Sequence, residues 1–207
     1  MLHRLPTAWP ALFGVLVLAS AACNPPPPNE GDYVARIEAA RAGKDAYFRD
    51  ASESPIPNSR KDTVLPLAYF PVDENYNVPA TLNPSPDSPR MMMITSTGTQ
   101  EEMIRVGRLD FMLLGKPLAL TAFVAATSPN MNRLFVPFND LTSGSTTYPA
   151  GRYLELDRTP SGVYEMDFNT AFNPYCYYNP TYVCPLPPAE NRLKVPIHAG
   201  EQIKEKH

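Results

Sequence analysis

Cys176 and Cys184 stand eight positions apart in the stretch DFNTAFNPYCYYNPTYVCPLPPAENRL, residues 167–193. Proline breaks this stretch too often for it to be one helix or strand. The C-x7-C spacing is not that of a zinc knuckle, and a metal site needs further ligands close by. His198 and the terminal His207 are the only histidines after His3. No metal site and no cofactor is therefore read from the chain. An even pair of cysteines in an exported protein favours a disulfide. On the chain-entropy model that bond would stabilise the fold by about 2.5 kcal/mol. A cysteine nucleophile would need a free thiol instead.

The remaining polar chemistry lies between residues 140 and 201. Asp140 opens DLTSGSTTY, where its side chain can accept from a backbone N–H two residues on. Gly144 admits a positive φ, and the N–H groups of such a turn can form an anion nest. Arg152 begins a strand with a planar, permanently charged fork suited to carboxylates. A buried Arg152 needs a partner, and Asp140, Asp167 and Glu201 compete for it. An unpaired Arg152 would clamp an anionic ligand. Asp167, Asn169, Asn173 and Asn191 either tie irregular backbone to itself or line a pocket. Tyr175, Tyr177, Tyr178 and Tyr182 supply flat amphipathic surface, useful for recognition or for covering the cysteine pair. The candidate ligand-binding set is thus Asp140, Arg152, Asp167, Asn169, Asn173, Tyr175 and Asn191. H-E-x-x-H, G-x-S-x-G, P-loop and G-x-G-x-x-G patterns are missing from the sequence. Hydrolysis using carboxylates such as Asp167 with Glu201 is the enzymatic alternative, and a wholly structural envelope role is a third reading.

These residues must be positioned by a fold rich in short strands. The chain has 25 prolines in 207 residues, more than twice the usual ~5%. Proline suits turns and strand edges and breaks helix interiors. Residues 32–49 make the one good helix, with Asp32 as its cap and Tyr33, Ile37, Ala40, Tyr47 and Phe48 near one face. From residue 54 onward, short apolar runs are split by Pro, Gly, Asn or Asp. Met103 to Leu113 alternates as a half-buried strand with a bulge expected at Gly107. Gly115-Lys116 reads as a hairpin turn, and GRYLEL and GVYEMDF as strands around a turn at Pro160-Ser161-Gly162. The expected fold is mainly β, α+β at the margin: an antiparallel sandwich or partly closed barrel of about eight short strands with one N-terminal helix.

The first 22 residues read as a lipoprotein-type signal, with Arg4 as the positive end, Ala11–Ala19 as a short apolar core, and small residues running into Cys23. Lipidation of Cys23 would anchor the chain to a bacterial membrane. Cleavage within Ala19-Ser20-Ala21 is the rival, leaving a soluble periplasmic protein. Residues 23–31 hold four consecutive prolines, a semi-rigid polyproline tether, and residues 32–207 form one globular domain. The formal net charge of −3 gives no electrostatic reason to bind nucleic acid.

Four blocks carry a family likeness: YVARIEAARAGKDAYFRDASESPI, LAYFPVDENYNV, LFVPFNDLTSGSTTYPAGRYLEL and DFNTAFNPYCYYNPTYVCPLPPAENRLKVPIHAGE. They resemble the bacterial domain of unknown function 1684 family over about residues 32 to 202. The resemblance implies a stand-alone domain, often exported, with no assigned activity. The sequence as a whole reads as a lipid-anchored envelope domain that binds an unidentified small molecule or protein without catalysis.

Overall fold

The computed structural model describes residues 30–204. The leader, Cys23 and most of the tether lie outside the described residues. Helix α1 runs Glu30–Asp50, so it begins two residues before the expected start at Asp32. A turn of 3-10 helix (Asn58–Arg60) and the short α2 (Lys61–Val64) follow. The strands come next: β1 Asn77–Pro84, β2 Arg90–Ile94, β3 Gln100–Leu113, β4 Lys116–Ala125, β5 Arg133–Phe138, β6 Arg152–Asp157 and β7 Val163–Asp167. The last helix, α3, is one turn, Tyr175–Tyr178.

All strand pairs are antiparallel, in the order β6-β5-β4-β3-β1-β7, with β2 pairing the first half of β3 and β1 the second. The sheet curls into a nearly closed barrel in which the two edge strands, β6 and β7, come into contact. The architecture is the expected mainly β one. The described residues hold seven strands, because the apolar run Leu65–Val72 forms only an isolated bridge between Tyr69 and Glu201. Pro66 and Pro71 remove two of the N–H groups that a strand there would need.

The alternation in β3 buries Met103, Leu109, Phe111 and Leu113. The expected bulge is present, with the register against β4 shifting between Arg105 and Gly107. A Cβ on Gly107 would lie 2.5 Å from the Asn83 carbonyl oxygen, so only glycine allows β1 to cross there. The β3–β4 turn sits at Leu114-Gly115, both with positive φ, one residue earlier than expected. The barrel interior is filled by Leu120, Ala122, Leu134, Val136, Leu154, Met166 and Phe168. A second apolar cluster, with Phe48, Ile56, Leu65 and Tyr178, seats the C-terminal end of α1.

Candidate functional site

The inner face of α1 is not the aromatic stripe that the sequence suggests. Tyr33, Ile37 and Phe48 are buried, but Ala40 is exposed and Tyr47 is 51% exposed. Arg41 and Lys44 take the middle of the face. Arg41 donates to the Phe70 and Asn169 carbonyls at 2.9 and 3.2 Å and lies 4.5 Å above the Tyr69 ring. Lys44 pairs with the buried carboxylate of Glu201. Glu201 also accepts from the Tyr178 hydroxyl at 2.6 Å and the Asn173 N–H at 2.8 Å. Gly200, at φ +77°, delivers Glu201 to this point; a Cβ there would meet the Ala171 carbonyl oxygen at 2.6 Å. Burial, with Glu201 close by, pushes the Tyr178 hydroxyl well above its ordinary pKa, so it stays a proton donor.

On the outer side of Lys44 lies an open groove of about 520 Å³. Its walls come from the end of α1, from β5 and β6, and from the segment 172–185. Tyr175 and Tyr182 stand edge to face at 5.3 Å. Across the groove, Phe135 and Tyr153 meet at 4.6 Å, and Tyr153 meets Phe172 at 5.8 Å. The Lys44 ammonium sits 5.0 Å from the Phe172 ring and 5.2 Å from the Phe48 ring, with a quarter of the side chain exposed. The one carboxylate in the lining is Glu155, on the rim, where it accepts from Arg133 at 2.9 Å. The site is therefore an aromatic trough with one cation, Lys44, in its lining.

Cys184 forms part of the trough wall, and Cys176 lies behind it. Both are buried free thiols. This differs from the expected disulfide, although the fold does bring the two residues together: the Cys176 N–H donates to the Cys184 sulfur at 3.2 Å. The Tyr148 hydroxyl is 3.9 Å from the Cys176 sulfur. A hydrogen bond from the Cys184 thiol holds the Cys176 thiol down to about 6, against the opposing effect of burial.

The candidate set read from the sequence divides into separate places. Asp140 and Arg152 meet as a buried pair at 2.9 Å. Arg152 also donates to the carbonyls of Ile197, Ala199 and Glu201, which staples the C-terminal segment to the barrel. Asp140 completes the expected turn by accepting from the Thr142 N–H at 2.7 Å. Asp167 accepts from the Tyr33 hydroxyl at 2.8 Å and the Asn169 N–H at 2.9 Å, and Asn169 in turn clamps Asp73. Asn191 is bonded between β4 and β5. Asn173 reaches Glu201 and the Gln202 carbonyl. Only Tyr175 of the seven lines the groove. Lys44, Tyr47, Phe135 and Phe172 carried no sequence signal of a site; the tyrosine cluster at 175–182 did. Among the described residues, no group of three or more His, Cys, Asp or Glu could hold a metal ion, and no helix is long and apolar enough to cross a membrane.

Residues 65–202 match the family described as protein of unknown function (DUF1684). The chain belongs to the DUF1684 family. The match begins at Leu65, so the first resembling block, on α1, lies outside it. The solution NMR structure of an uncharacterised protein of Haloarcula marismortui is similar to this DUF1684 chain, with 35% identity and a TM-score of 0.67. The likeness covers 86% of this chain and 97% of that one. No curated protein matches this DUF1684 chain. Neither description speaks of export, so the exported character implied by the resemblance gains no support from the comparisons.

Proposed function

We propose that this DUF1684 domain is a binding module of the bacterial cell envelope, held to a membrane by a lipid on Cys23. Its aromatic trough takes a small amphipathic molecule: a flat apolar body lying against Tyr175, Tyr182 and Phe135, and one acceptor group directed at Lys44. The arrangement of the trough carries this reading. An ammonium offers three N–H donors, and among the described residues Glu201 is its one hydrogen-bonded acceptor. The volume falls in the ~300–1,000 Å³ range of small-molecule sites. Flat rings lose little entropy on binding and leave their hydroxyls to the solvent. The carboxylates proposed for hydrolysis, Asp167 and Glu201, belong to different hydrogen-bond networks, which favours binding over catalysis.

The test uses anilinonaphthalene sulfonate, a flat aromatic anion whose emission rises in apolar sites. Saturable binding to the folded protein, weakened at least about tenfold in Tyr175→Ala/Tyr182→Ala, is the expected result. Equal affinity in both proteins would place the probe elsewhere and remove the support for the trough.

A further inference from the structure

The two thiols stand where a covalent bond would act on the trough. Tyr175 and Cys176 are consecutive on α3, and Tyr182 and Cys184 lie two residues apart on the following loop. A link between the cysteines would thus join the backbone segments that carry the paired tyrosine rings. Without it, this wall rests on hydrogen bonds, among them the Cys176 N–H to the Cys184 sulfur, the Asn179 N–H to the Tyr175 carbonyl at 2.9 Å and the Tyr182 N–H to the Asn179 carbonyl at 3.1 Å, the Ser96 N–H to the Cys184 carbonyl at 2.8 Å, and the Cys184 N–H to the Ser96 hydroxyl at 3.1 Å. Asn179-Pro180-Thr181, between the two rings, is largely exposed.

We propose that Cys176 and Cys184 are a reversible dithiol–disulfide pair whose closure rigidifies the tyrosine wall of the trough, the oxidant being a small organic disulfide such as oxidised glutathione. The functional part of this inference rests on the trough being the binding site. Chemically, the Cys176 thiolate attacks one sulfur of RS–SR, forming a mixed disulfide and expelling one RS⁻. The Cys184 sulfur, losing its proton, then displaces the second RS⁻. One S–S bond is broken and one is formed in the protein. Two thiols are oxidised, one external disulfide is reduced to two thiols, and the released protons end on RSH. The lowered pKa of Cys176 fits the role of first nucleophile. Cys184 lines the trough and Cys176 stands against it, so a small disulfide reaches the pair from the trough side.

The full chain is equilibrated with reduced and oxidised glutathione and read in two ways. Peptide mass mapping should show the 176 and 184 peptides joined, with the loss of two hydrogens and of both alkylation sites. Hydrogen exchange over residues 175–185 should slow on oxidation and recover with dithiothreitol. Cys176→Ser and Cys184→Ser should each remove both changes while leaving the thermal melt of the reduced protein nearly unaltered. Thiols that remain alkylatable in excess oxidised glutathione would overturn the pair, and unchanged exchange in the bridged protein would overturn the rigid wall. Anilinonaphthalene sulfonate affinity should rise about threefold or more in the bridged form, as pre-organisation predicts. Failure of the probe to bind either form would count against the trough as a binding site, and the mass and exchange results would still decide the bond.

Discussion

Asn191 fills the gap that Pro137 opens in the sheet. Strands β4 and β5 are paired only at Phe123 and Phe135, and continuing that register sets Thr121 opposite Pro137, which has no N–H to give. The Asn191 carboxamide enters there. Its oxygen accepts from the Thr121 N–H at 2.7 Å, and its nitrogen donates to the Thr121 carbonyl at 2.9 Å and the Pro137 carbonyl at 2.7 Å. Asn191 is fully buried, so these three bonds form away from solvent.

Asn191→Ala is expected to lower the unfolding free energy by about 2–4 kcal/mol, since it strands buried backbone groups on two strands. Urea denaturation measures this. A loss below about 0.5 kcal/mol, the size of an ordinary surface change, would mean that water or a shift of the strands replaces the amide.

Arg152→Ala leaves Asp140 buried without its cation and frees three carbonyls at the C-terminal segment. The expected cost is about 3–5 kcal/mol, or a fall of roughly 10 °C in Tm. An unchanged thermal melt would reject the staple.

Cys176 reactivity should follow its lowered pKa. The thiolate is the reacting form, present above about 6 and lost below it. The rate of alkylation by iodoacetamide should therefore level off above about pH 7 and fall about tenfold per unit well below 6. A rate still climbing steadily through pH 8.5, as for an ordinary ~8.5 thiol, would contradict the hydrogen bond from Cys184.

Alkaline conditions should weaken the fold. Burial raises the hydroxyl pKa values of Tyr69, Tyr153 and Tyr178, and Glu201 adds to the effect at Tyr69 and Tyr178. For a pKa raised on folding, the stability is fully present below the unfolded value of ~10 and is lost as the pH climbs above it. Urea midpoints at pH 8 and pH 11 should differ accordingly. Equal midpoints would mean that these hydroxyls ionise as freely in the folded protein as in the unfolded one.

Cys23→Ser is expected to move the protein from the membrane fraction to the soluble one when it is expressed in a bacterial host with lipoprotein processing. Continued sedimentation with membranes would refute the lipid anchor.

Several features were legible locally. The spacing of apolar runs between prolines announced a mainly β chain. The broken alternation at Gly107 marked the bulge, and Asp140 with Thr142 formed the turn that its residue types suggest. Each depends on residues a few positions apart, where sterics and side-chain reach act within the chain. The tertiary structure alone decided that Arg41 and Lys44, not Ala40 and Tyr47, face inward from α1. It also decided that Lys44 meets Glu201 across 157 positions of sequence, and that one trough gathers rings from Tyr47 to Tyr182. The physical reason is that periodicity reports where apolar side chains are hidden, whereas a charged side chain can be buried only if a distant partner is waiting for it, and a linear pattern carries no record of that partner.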